Sequence, residues 1–163
     1  MRDDEGFARY VVGAYSGLVR RGVLLVGDRA KAEDLVQSSL AAAYLRWARV
    51  REPDAYVRTV MVRTAIGWRA RRWSGEVPTE RLPEVAARDA LADADLGDAV
   101  RAALATLPPA QRAVVVLRYF DDCSEAEIAA ALGCSLGTVK SRCARALAAL
   151  RASGVLEGEG HPA

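Results

Sequence analysis

Between Ser135 and Arg151 the chain carries Lys140, Arg142, Arg145 and Arg151 and no carboxylate. Wound as a helix, the segment puts Val139, Cys143, Ala146, Leu147 and Leu150 on one apolar stripe. Gly137, Thr138, Ser141 and Arg145 fall on the opposite side, with Lys140 and Arg142 at its flanks. That face suits duplex DNA. Small Gly137 and Ser141 let a helix sit deep in a major groove, and Arg145 matches the two acceptors of guanine. Thr138 and Ser141 can make shorter contacts with base edges, while Lys140 and Arg142 suit phosphates. The bland alternative is a solvated helix face.

A second basic stretch lies upstream. Residues 46–72 hold eight arginines against Glu52 and Asp54. Tyr44, Trp47, Tyr56, Trp68 and Trp73 are interleaved with that charge. Single-stranded bases stack on aromatic rings while arginines hold the backbone, so the combination fits unpaired nucleic acid. Trp47 and Trp68 sit on apolar stripes and are expected in a core. Tyr56 and the 49–56 loop stay open between packing and stacking.

Other chemistry is poorly supplied. The single histidine, His161, lies in a Gly-rich tail, which leaves no Ser-His-Asp or Cys-His device. Cys123, Cys134 and Cys143 are too sparse for zinc, and no phosphate-binding glycine motif occurs. No catalytic residue, metal or cofactor is expected, and the chain is not read as an enzyme. The odd cysteine count suits a reduced, cytoplasmic setting. No apolar run approaches a membrane span, and no secretory signal is read at the N-terminus.

The elements that must position these groups are helical. Ser124-Glu125-Ala126-Glu127 reads as a capping box, opening a short helix that stops at Gly133. Ser135 then caps a longer helix to about Arg151, which makes a helix-turn-helix. Upstream, one helix is expected from Phe7 to Leu25, its face formed by Phe7, Val11, Ala14, Tyr15 and Leu18. Asp28 caps a second, from Ala30 to Ala48, with Ala32, Leu35, Val36, Leu40, Ala43 and Trp47 inward. Its other face shows Asp34, Gln37, Ser38 and Ala41. A third opens at Pro53 and packs through Val57, Val60, Met61, Thr64 and Trp68. Arg58, Arg63 and Arg69 point away from that stripe.

The chain has 163 residues, 52% of them hydrophobic and 27% charged, an ordinary globular composition. Its net charge of +2 conceals an acidic stretch: residues 73–98 set seven carboxylates against two arginines. The reading is all-α, with two small helical domains joined by that acidic linker. Their bounds are 1–73, a linker over 74–95, 96–153, and a tail over 154–163.

Several strings resemble the extracytoplasmic-function (ECF) sigma factors. Leu107-Pro108-Pro109-Ala110-Gln111-Arg112, Leu117-Arg118-Tyr119, Ser124 to Ala129 and Leu132 to Arg142 are similar to their region 4. Ala32 to Gln37, with Ala43-Tyr44-Leu45-Arg46-Trp47, resembles region 2, and Ala55 to Trp73 is similar to an actinobacterial, SigE-like branch. The resemblance implies a protein that binds core RNA polymerase, through the clamp and flap, and directs transcription initiation at promoter DNA. Region 4, with Thr138, Lys140, Ser141, Arg142 and Arg145, would read the −35 duplex. Region 2 would melt and capture the −10 element with Arg51, Tyr56, Arg58, Thr59, Arg63 and Arg69. Asp34, Gln37, Ser38 and Ala41 would dock on the polymerase clamp, and an anti-sigma factor is a candidate regulator. Many relatives carry Asn where Arg63 stands, a departure that bears on −10 specificity. The alternative is a stand-alone helix-turn-helix regulator that does not act through polymerase.

Overall fold

The computed structural model describes residues 3–73 and 97–154. The expected linker and the tail beyond Gly154 lie outside the described residues, as do the side chains of Arg69 and Trp73. Among the described residues every regular element is helical. Helix α1 spans Asp4–Val26, α2 Arg29–Leu45 and α3 Pro53–Trp73, with a 3₁₀ turn at Trp47–Arg49. After the linker come α4 (Asp98–Ala105), α5 (Pro109–Val115), α6 (Glu125–Leu132) and α7 (Leu136–Ala152). A π turn over Val116–Phe120 prolongs α5.

Local chemistry sets most of these boundaries. The Asp3 side chain accepts from the Gly6 amide, so α1 opens three residues earlier than expected. It closes at Gly27, whose φ of 96° only glycine takes freely and whose amide donates to the Val23 carbonyl. The Asp28 carboxylate accepts from the Lys31 amide at 2.8 Å and starts α2. Helix α2 stops at Leu45, short of the expected Ala48. Leaving the helix there lets the Trp47 ring pack on Phe7 and Tyr10, at centroid distances of 5.1 and 5.6 Å.

One apolar cluster runs through the described chain and joins both sides of the linker. Leu35, Val36, Val57, Met61 and Val62 meet the second half of α1 in it, as do Leu104, Leu107, Val114, Val116 and Leu117. The strongest burial in α1 is therefore not the expected Phe7-to-Leu18 face. Leu18, Val19, Val23, Leu24, Leu25 and Val26 are all buried, because that end of α1 is covered from several directions. Phe7, Val11, Ala14 and Tyr15 pack only partly. At Gly22 an added Cβ would stand 3.0 Å from Ala32 Cβ, so α1 and α2 approach almost backbone to backbone.

Candidate nucleic-acid interface

The helix-turn-helix is built from its caps upward. Ser124 Oγ accepts from the Glu127 amide at 3.0 Å, and Glu127 Oε1 accepts from the Ser124 amide at 3.0 Å. The expected capping box is thus present in both directions. Those bonds to the ionised carboxylate hold the Glu127 pKa below its ordinary value. Gly133 takes the left-handed conformation (φ 65°), and the Cys134 amide then reaches back to the Ala129 carbonyl. Ser135 Oγ accepts from the Thr138 amide at 3.1 Å and starts α7 as expected.

Helix α7 divides as its spacing predicts. Val139, Ala146 and Leu150 are buried, and Cys143 and Leu147 are half-buried beside them. Lys140, Ser141 and Arg145 are exposed with Gly137, and Arg142 is half-buried at the flank. Thr138 is half-buried, its Oγ1 3.0 Å from Ser135 Oγ. Among the described residues no carboxylate pairs with Lys140, Arg142 or Arg145. Sequence reasoning missed Leu136, which is 47% exposed in the first turn of α7. An apolar side chain there suits a thymine methyl group. Its apolar type at a position outside the buried stripe was the available signal.

The six residues expected to meet an unpaired strand do not form one site. Arg51, Tyr56 and Thr59 line an open cleft of about 610 Å³ with Arg46, Arg49, Val50, Glu52 and Ala55. Its size is that of a small-ligand pocket, and its wall offers three guanidinium groups beside a half-buried phenol ring. Arg49 opens the 49–56 loop already considered for stacking, whereas Arg46 belongs to the basic block but was not singled out. Arg58 lines a separate groove with Arg9, Tyr10, Arg21 and Asp54. There Tyr10 donates to Asp54 at 2.9 Å, and burial followed by that bond pushes the phenol pKa well above its ordinary value. Arg63 reaches α6 instead: its Nε donates to the Ala131 carbonyl at 2.7 Å.

Asp34, Gln37, Ser38 and Ala41 are all exposed on α2, within an arc of about 100°. Leu45, 70% exposed, falls on the same arc and was also missed. Its spacing of eleven from Asp34, close to three full turns, was the signal.

Among the described residues no group of three metal-ligating side chains occurs, and no helix is long and apolar enough to cross a membrane.

Comparison with known proteins adds independent findings. Residues 97–150 match the family described as "Sigma-70, region 4". The chain is 44% identical over 148 residues to the RNA polymerase sigma-E factor of Streptomyces coelicolor, covering 89% of this chain and 84% of that one. It is 34% identical over 142 residues to the ECF RNA polymerase sigma factor SigL of Mycobacterium tuberculosis, covering 82% and 80%. In fold it is similar to the sigma factor RpoE of Bartonella quintana, solved in complex with the anti-sigma factor NepR. The TM-score is 0.67 at 24% identity, over 91% of this chain and 96% of that one. CnrH, solved with the cytosolic domain of CnrY, gives the same TM-score over 97% and 92%.

Proposed function

The chain belongs to the ECF group of RNA polymerase sigma factors, and on that premise we propose how its surfaces divide the work of initiation. Residues 1–73 form the unit that meets polymerase and the −10 element. Residues 96–153 form the unit that meets the −35 duplex, and the acidic stretch 74–95 links the two. Helix α7 enters the major groove, where Arg145, Thr138 and Ser141 face base edges and Lys140 and Arg142 hold phosphates. The cleft with Arg51, Tyr56 and Thr59 takes an unstacked base of the −10 strand, and Arg58, Arg63 and Arg69 act on its backbone. The exposed arc of α2, from Asp34 through Gln37, Ser38 and Ala41, docks on the polymerase clamp. The region 4 unit meets the flap. The protein acts in the cytoplasm, where polymerase and promoter are, and an anti-sigma partner is part of the proposal. No step in this role needs a catalytic group or a cofactor.

The observation that carries the −35 assignment is the face of α7, basic and free of carboxylates, on a helix that Ser135 caps and that follows the helix capped by Ser124. The test is run-off transcription with purified actinobacterial core polymerase on a genomic promoter library. Transcripts that require this protein, with aligned start sites, are the expected result. Core binding without transcripts would point to a sequestering role. Operator binding without core binding would favour the stand-alone regulator.

A further inference from the structure

Helix α1 carries Gly13 and Gly17 one turn apart, and the free fold gives no reason for either. Glycine weakens a helix interior relative to alanine. At Gly22 close packing accounts for it, since an added Cβ would meet Ala32 Cβ at 3.0 Å. At Gly13 and Gly17 an added Cβ would meet nothing within 4 Å, so the chain itself would accept a side chain there. What these two glycines keep is room. Both line the groove of about 470 Å³ between α1 and α3 that also holds Arg9, Arg21 and Arg58. That volume lies in the usual range of small-ligand pockets.

The groove is short of acceptors. Arg21 is answered by Asp121 at 2.7 Å. Asp54, the carboxylate in the groove wall, accepts from the Tyr10 hydroxyl at 2.9 Å. Arg9 is exposed, and among the described residues no carboxylate pairs with it or with Arg58. Arg58 is half-buried, and its Nε is closed off from solvent without a hydrogen-bond partner. A buried donor left unmade is costly, so this guanidinium favours an acceptor brought from outside. With the Arg21–Asp121 pair set aside, Arg9, Arg58 and Asp54 leave one positive charge. That matches the single negative charge of a phosphodiester better than the several of a triphosphate.

We propose that the α1–α3 groove is a phosphodiester site, separate from the cleft around Tyr56, in which Arg9 and Arg58 hold the phosphate over Gly13 and Gly17. The guanidinium groups donate charge-assisted bonds to the phosphate oxygens. The bare glycines let the sugar or base of one nucleotide lie close to the α1 backbone. Two sources carry this chemistry. One is the strand captured at the cleft, and that source rests on the −10 role proposed above. Ala55, Tyr56 and Thr59 line the cleft while Asp54 and Arg58 line the groove, so a strand crossing the first two turns of α3 meets both. The other is a free cyclic mononucleotide, which has the same singly charged diester.

The test compares the full chain with Arg9→Gln and Gly13→Leu. Leucine is a strong helix former and has space at that position, so circular dichroism should show helix content kept. Calorimetric titration of the free chain with cyclic AMP reads the free source. Open-complex lifetime reads the strand source, with holoenzyme on a promoter whose non-template strand carries one neutral methylphosphonate at successive positions near −10. For the free source, cyclic AMP binds the wild type and each variant weakens it about tenfold, the loss of one charge-assisted bond. For the strand source, each variant shortens the lifetime about tenfold. One methylphosphonate then shortens it equally in the wild type and no further in the variants. Wild-type behaviour of both variants in both assays would overturn the site. So would an effect confined to one variant, because the site needs the cation and the room together. The calorimetry needs no polymerase, and run-off transcription by the wild type tests promoter reading by itself. If that reading fails, the strand source falls with it and the cyclic AMP titration alone decides.

Discussion

Arg145 and Lys140 both stand exposed on α7, and both are cations, yet the helix geometry gives them different work. Arg145 shares the groove-facing side with Thr138 and Ser141, whereas Lys140 sits at its edge. Arg145→Ala is expected to cost about 1–3 kcal/mol at one base pair of the −35 site and to relax the preference there. Lys140→Ala should weaken binding evenly over all sequences and lower the salt slope by about 1. Binding of a −35 duplex series at several salt concentrations separates the two outcomes. Indistinguishable behaviour would remove the division into base reader and phosphate holder. At this scale the side of α7 was legible because spacing alone fixes which residues oppose Val139 and Ala146. The surroundings of Arg58 and the partners of Arg63 were not. A 100° rotation per residue shows that they leave the α3 stripe, but not that one turns toward Asp54 and Tyr10 and the other toward α6.

Caps decide the elements, and the capping box at Ser124 makes the helix-turn-helix sensitive to acid. Glu127 is held below its ordinary pKa in the fold by its bonds to Ser124, and in the unfolded chain it returns to that value. Its contribution is therefore fully present above the unfolded pKa and is lost as pH falls through the depressed folded value. Thermal unfolding of the wild type should weaken across the acid range more steeply than that of Glu127→Gln. Parallel curves would show that the carboxylate contributes nothing through its charge. Ser124→Ala removes the other half of the box and should cost about 1 kcal/mol at any pH where the fold persists. Helix ends were the most legible elements because Asp28, Ser124, Gly133 and Ser135 each do a local job. The early stop of α2 was not, since the helical stripe continues formally to Trp47. What ends it is the packing of that ring on Phe7 and Tyr10, residues nearly forty positions away.

For the whole molecule, alternating blocks of charge suggest two units on a linker, and nothing in them shows that the units share a core. The reason is chemical. Apart from the apolar cluster and the Arg21–Asp121 ion pair, the contacts that join the halves run from arginine side chains to main-chain carbonyls at Leu24, Gly27, Ala130 and Ala131. A carbonyl leaves no mark in a sequence, so an arginine aimed at one looks like any surface cation until the helices are in place. Arg112 is the clearest case, since its neighbours Ala113, Val114 and Val115 are buried and it is buried with them. Arg112→Ala leaves the Leu24 carbonyl without that donor and opens a cavity beneath α1, a loss of about 2–4 kcal/mol. Because one apolar cluster crosses both halves, the wild type is expected to unfold in urea as a single transition by fluorescence and circular dichroism alike. In Arg112→Ala the two probes should part. The three tryptophans, all before residue 74, would then report a transition that the helices after residue 97 do not share. Coincident curves in the variant would mean that the apolar cluster and the remaining arginine contacts suffice to couple the halves and that Arg112 only fills space.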